Sequence, residues 1–251
     1  MSFSSLEEKI SEYLAAGRYK EAESLLEEAC RMMPNALEPR RQLGGLYLQK
    51  GEWGAAMEWL RQALKLAPDD ASLQYQLAWC LCATECPEGA IPLLERLPAT
   101  PPHQHLLGKA YLFSGQLTLA LDSLQNSNLP AADLEMGWCY WLLDDPTQAS
   151  HAWERWMRAG AADWGTKDAL ATFWFLLGAG AGPRGVPERV LEPTRHMQKW
   201  FKLLLRYQRM HDVTTVIKKG AELSPAAWTA LRPALKIACL HADEPGLAEK
   251  L

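Results

Sequence analysis

Residues Leu37–Asp70, LEPRRQLGGLYLQKGEWGAAMEWLRQALKLAPDD, decide how this chain is read. They form two amphipathic helical stretches that divide at Gly51 and close at Pro68. Gly44 and Ala56 are small where paired helices must approach, and Tyr47 and Leu60 supply the bulk that fills the space between them. A single helix pair of this size cannot bury its apolar face, so the stretch predicts stacked copies of itself on both sides.

Copies follow at a step of 34 residues, since Tyr13, Gly17, Ala22, Leu26, Ala29 and Pro34 match Tyr47, Gly51, Ala56, Leu60, Ala63 and Pro68. Leu43, Gly44, Tyr47, Ala56, Leu60, Ala63 and Pro68 also fall at the offsets of the tetratricopeptide (TPR) pattern, with Arg40 where a tryptophan is usual. The chain therefore resembles the TPR family. The resemblance implies an all-α fold, a TPR α-solenoid in which antiparallel helix pairs stack into a right-handed superhelix. Five regular repeats are expected at residues 3–36, 37–70, 71–100, 101–129 and 130–160. Their marks are Leu77, Ala78 and Ala90 in the third, Leu107, Gly108, Tyr111 and Ala120 in the fourth, and Gly137, Tyr140, Ala149 and Trp153 in the fifth.

Divergent helical repeats continuing the same solenoid are expected over 161–251. A helix is predicted over Trp164–Leu177, then the loop GAGAGPRG, a short helix over Val186–Leu191, and a return of register from Thr194 through Trp200, Phe201, Leu204, Val213 and Ile217. A last long helix is predicted over Pro225–His241. The closing EPGLAEKL begins a further helix and stops, so the chain is expected to be the amino-terminal part of a longer protein.

Composition narrows the function. A hydrophobic share of 48% supports a large core, while a net charge of −4 gives no global attraction to nucleic acid or an anionic membrane. The start, MSFSSLEEKI, has early acids and no signal-like apolar segment, and the run Leu170–Gly182 is too short and glycine-rich to span a bilayer. A cytoplasmic setting is expected, with six scattered cysteines as reduced thiols. GAGPRG satisfies GxGxxG but follows a helix rather than a strand, so no dinucleotide site is read there. Cys80, Cys82 and Cys86 precede His103 and His105, but Cys86 lies at the far end of one groove helix and the histidines at the near end of the next, about 20 Å away, so no metal site is read either. No catalytic motif is present, and no enzyme activity and no cofactor are expected.

The resemblance implies that the first helix of each pair lines a concave groove through its second, fifth, ninth, twelfth and thirteenth positions. In repeats three to five these are Tyr75, Trp79, Cys82, His105, Lys109, Leu112, Phe113, Leu134, Trp138 and Trp141, a largely aromatic wall. Farther on, Arg195, Lys199, Lys202, Arg206 and Arg209 form a basic stripe on one helix face, with Arg195, Lys202 and Arg206 at groove positions. The chaperone-tail clamp of some TPR proteins is not matched, because Glu7, Ser11 and Gln42 stand at its positions. The expected role is a scaffold or adaptor that binds a protein or peptide with apolar or aromatic anchors and an acidic segment, without membrane or nucleic acid; a homo-oligomer is compatible with it. Two alternatives are the amino-terminal module of a larger enzyme, such as a bacterial glycosyltransferase, and anion or nucleic-acid binding through the basic helix 194–209.

Overall fold

Ala22, Ala56, Ala90 and Ala120 are completely buried, and Leu26, Leu60, Leu94 and Leu124, four residues after each, are buried to 2% exposure or less. One small and one large apolar residue thus recur on the same face of each second helix, one turn apart. The computed structural model describes residues 3–84, 86–159, 167, 169, 170, 172, 173, 176, 177, 195–220, 225–242, 244–249 and 251. Among these there is no strand, and the fold is all-α.

The first eight helices alternate as pairs: α1 Phe3–Ala15 with α2 Tyr19–Met32, α3 Leu37–Lys50 with α4 Trp53–Leu66, α5 Ala71–Ala83 with α6 Pro87–Leu94, and α7 Pro101–Ser114 before α8 Leu117–Ser127. A 3-10 turn at Pro130–Ala132 leads into α9 Asp133–Leu142 and α10 Pro146–Arg158. Lys167, Ala169, Leu170, Thr172, Phe173 and Leu176 are helical. Four more helices follow: α11 Arg195–Arg206, α12 Met210–Gly220, α13 Pro225–His241 and α14 Pro245–Ala248. The expected GAGAGPRG loop and the Val186–Leu191 helix lie outside the described residues.

The chain divides into two compact units, residues 1–114 and 115–251. In the first, α3 ends because Gly51 enters the left-handed region at φ 71°, which a residue with a side chain rarely adopts. Gly44 has a different cause, since a Cβ there would lie 2.7 Å from Leu60 Cδ2, so its smallness lets α3 and α4 close. The repeated tyrosine ties one helix pair to the next. Tyr47 Oη donates to Glu23 on α2, and Tyr111 Oη donates to Glu95 just after α6, at 2.6 Å. Burial and these carboxylates push both phenols up to about 12. Asp70 caps α5, accepting from the backbone N–H groups of Ser72 and Leu73 at 3.0 and 3.1 Å, and pairs with Arg41 on α3.

In the second unit the same small-against-large contact is enlarged. A Cβ on Gly137 would overlap the Trp153 indole, which fills the place that leucine takes in the preceding repeats. Trp153 Nε1 donates to the Leu134 carbonyl at 3.2 Å, so the larger ring is held as well as accommodated.

Candidate partner-binding surface

On the first helices of unit one, burial separates two faces. Leu43, Gly44, Leu46 and Tyr47 on α3, Leu73, Leu77, Ala78, Cys80 and Leu81 on α5, and Leu106, Leu107, Ala110 and Tyr111 on α7 pack inward. Arg41, Gly45 and Leu48, then Tyr75, Trp79 and Cys82, then His105, Lys109 and Phe113 are not buried. These last positions are the ones that the repeat pattern assigns to the groove.

Trp79 is 49% exposed, a large value for an indole, and Tyr75 meets it edge to face with ring centroids 6.2 Å apart. The Tyr75 ring also lies 4.8 Å from the His103 ring, which joins α5 to α7. His103 is held in turn by its Nδ1, 2.8 Å from the Pro98 carbonyl. Burial pushes the Tyr75 phenol up from its usual value, and the Lys109 ammonium on α7 pulls it partly back. Tyr75, Trp79, His103 and Lys109 thus form one aromatic and cationic patch. The repeat pattern gave His105 and passed over His103, which stands at the third position of its repeat and reaches Tyr75 from the first turn of α7.

The second unit corrects part of the expectation. Trp138 is 1% exposed and Trp141 is 8% exposed, so neither ring stands on an open wall; Leu112 and Leu134, placed in the same groove, are buried as well. Trp138 stacks on Trp200 at 5.6 Å and meets Trp153 and Phe173 edge to face at 5.2 and 5.6 Å. Trp141 stacks on Trp153 at 6.0 Å and donates through Nε1 to Asp212 Oδ2 at 3.1 Å. The physical reason is coverage. Phe173 and Trp200 come from elements beyond residue 160 and close over the face of α9 that a regular repeat would leave open.

A tetratricopeptide-repeat profile matches residues 13–74 and again 50–110, and no curated protein matches the chain. Residues 13–110 belong to the tetratricopeptide-repeat family. Solved structures agree on the fold. MamA 41-end from Desulfovibrio magneticus RS-1 is 23% identical, aligning 63% of this chain with 97% of its own at a TM-score of 0.58. PilW, a widely conserved type IV pilus biogenesis factor, is 17% identical over 85% of this chain and 97% of its own, also at 0.58. YrrB, a TPR protein with an unusual peptide-binding site, is 18% identical over 59% of this chain and 81% of its own, at 0.54. The all-α solenoid class of TPR proteins is therefore the class of this chain.

The basic stripe is divided in its roles, and α11 ends at Arg206, so Arg209 follows the helix rather than continuing its face. Arg206 is exposed, Lys199 and Lys202 are half-buried, and the side chain of Arg195 lies outside the described residues. Arg209, the last of the series, is structural: its Nε donates to Asp212 Oδ2 at 2.7 Å and its Nη1 to Asp144 Oδ1. Asp212 is 4% exposed, so this carboxylate joins α12 to the Trp141 ring and was not marked by the repeat pattern. Among the described residues no cluster of three or more His, Cys, Asp or Glu could hold a metal ion, and no helix is long and apolar enough to cross a membrane.

Proposed function

We propose that the TPR array binds an extended segment of another protein on the open first-helix face of residues 13–110, with Tyr75 and Trp79 as its anchors, and so acts as a scaffold or adaptor. The observation that carries this reading is the half-exposed Trp79 indole braced edge to face by Tyr75. A large rigid ring left in water forgoes the burial that stabilises its fold-mates, and such rings are typical anchors of interfaces. Arg41, His105, Lys109 and Phe113 flank it on the neighbouring helices as the remaining contacts. In the second unit, whose aromatic groove positions are core, the proposal keeps Lys202 and Arg206 as contacts for an acidic segment, together with Arg195 by its place in the sequence.

The test is a random dodecapeptide library displayed on phage and panned on the full chain, with the selected peptides resynthesised and titrated by calorimetry. Trp79→Ala is expected to weaken the selected peptides by about tenfold or more, the loss typical of an interface anchor, with unchanged helix content. Peptides that bind Trp79→Ala as well as wild type would remove the open face as the binding surface.

A further inference from the structure

Successive helix pairs of unit one meet along one side of each first helix. His103, the third residue of its repeat, meets the Tyr75 ring of the pair before it. Seven residues on, and so on the same side of the helix, stands the tenth residue. It is apolar and sealed in repeats two to four, where Leu46 is 3% exposed and Cys80 and Ala110 are completely buried. In α1 the tenth residue is Glu12, which is exposed, and the exposed Glu8 lies one turn before it. The corresponding side of α1 is therefore acidic where later first helices are apolar. Arg18 is the cation beside Glu12, and its guanidinium is already paired with Glu21 at 2.9 Å.

A complementary side is found on α13. Its buried residues Leu231, Leu235, Ala238 and Cys239 repeat the spacing of Leu73, Leu77, Cys80 and Leu81 on α5. On that alignment Pro233, Ile237 and Leu240 take the places of Tyr75, Trp79 and Cys82, the side from which Tyr75 receives His103. Ile237 is 45% and Leu240 55% exposed, and the exposed Arg232 and Lys236 run beside them, one turn apart. No aspartate or glutamate occurs in α13, and neither Glu244 nor Glu249, the described carboxylates next along the chain, pairs with these two cations. The imbalance extends to whole segments: residues 1–36 hold seven acidic and four basic side chains, and residues 195–242 hold nine basic and two acidic ones.

We infer that the partner of this side is a second copy of the chain: α1 of one copy docks on α13 of another, with Glu8 and Glu12 against Arg232 and Lys236, and covers Ile237 and Leu240. Between copies the join repeats the stacking of α7 on α5 within one. Each seam of unit one is closed by a hydrogen bond to a carboxylate, from Tyr47 and Lys50 to Glu23, from Arg41 to Asp70, and from Tyr111 to Glu95, and the join between copies uses the same chemistry. It is heterologous, because two different surfaces meet, so association is directional and each added copy presents a new site. Charge sets the direction, since α1 against α1 opposes acids and α13 against α13 opposes bases. Trp79 takes no part, so the join and the peptide-binding reading stand or fall separately.

Sedimentation velocity of the full chain tests the join. At low salt the weight-average sedimentation coefficient is expected to rise between about 5 and 200 µM protein, and to return toward that of the monomer at about 0.5 M salt, where exposed charges are screened. Glu12→Arg and Lys236→Glu, both at exposed positions, should each weaken association about tenfold or more with unchanged helix content. An equimolar mixture of the two variants should recover it, since each reversed surface then finds its complement on the other variant. Leu240→Asp should also weaken association of the otherwise wild-type chain. A monomer over the whole range, an assembly indifferent to both charge reversals, or a mixture that stays dissociated would each overturn the inference. A monomeric chain that floats with phosphatidylserine vesicles, and loses them in Lys236→Glu, would overturn it too and give this side of α13 to a lipid surface.

Discussion

Replacing Trp138 with alanine should be a stability mutation in the second unit. The indole is 1% exposed and lies within 5.2 to 5.6 Å, centroid to centroid, of Trp153, Phe173 and Trp200, so truncation leaves an enclosed cavity lined by three rings. Truncations of this kind cost about 3–5 kcal/mol. One term works the other way: Trp138 Nε1 is buried without an acceptor, and removing an unsatisfied donor recovers about 1 kcal/mol. The expected net loss is about 3 kcal/mol, which at a urea m-value of about 2 kcal/mol/M lowers the midpoint by about 1.5 M. Far-UV circular dichroism during urea titration measures it. Because two compact units are present, the loss should appear as an earlier transition of unit 115–251 rather than a uniform shift. Trp79→Ala is the control, expected to cost below about 1.5 kcal/mol because no enclosed space is left beside a half-exposed ring. A Trp138→Ala midpoint within about 0.3 M of wild type would refute the packed-core account, and intact stability with lost peptide binding would restore Trp138 to the groove.

Asp212→Ala, which removes the acceptor of the Trp141 N–H and of Arg209 Nε while leaving Arg209 its Asp144 contact, should destabilise by about 2 kcal/mol in denaturant titration, while Asp212→Asn, which keeps an acceptor for the indole, should cost less. The Tyr47 and Tyr111 phenols are raised from 10.0 to about 12, so their contribution to stability is complete below about pH 10 and is lost as pH rises toward 12. The melting temperature should accordingly fall over that window, and the double variant Tyr47→Phe, Tyr111→Phe should be less stable at pH 8 but decline less steeply above pH 10.

Much of the architecture was written in residue spacing. The 34-residue recurrence of a small residue, a tyrosine, an alanine and a leucine specifies helix pairs, because each of those residues meets its partner inside one pair or in the next one along, and Leu60 does lie against Gly44 as that spacing requires. Tyr75 and Trp79 could be placed on an open face for the same reason, since i and i+4 on one helix share a side whatever surrounds it. Repeat spacing could not say whether a given open face stays open. Trp138 and Trp141 occupy groove positions by every local criterion, yet Phe173, Trp200 and Asp212 reach them from 35 to 71 residues farther along the chain. Local periodicity fixes which side of a helix a residue is on; what comes to rest against that side is a non-local event, decided by packing of the divergent segment, and only the tertiary structure shows it.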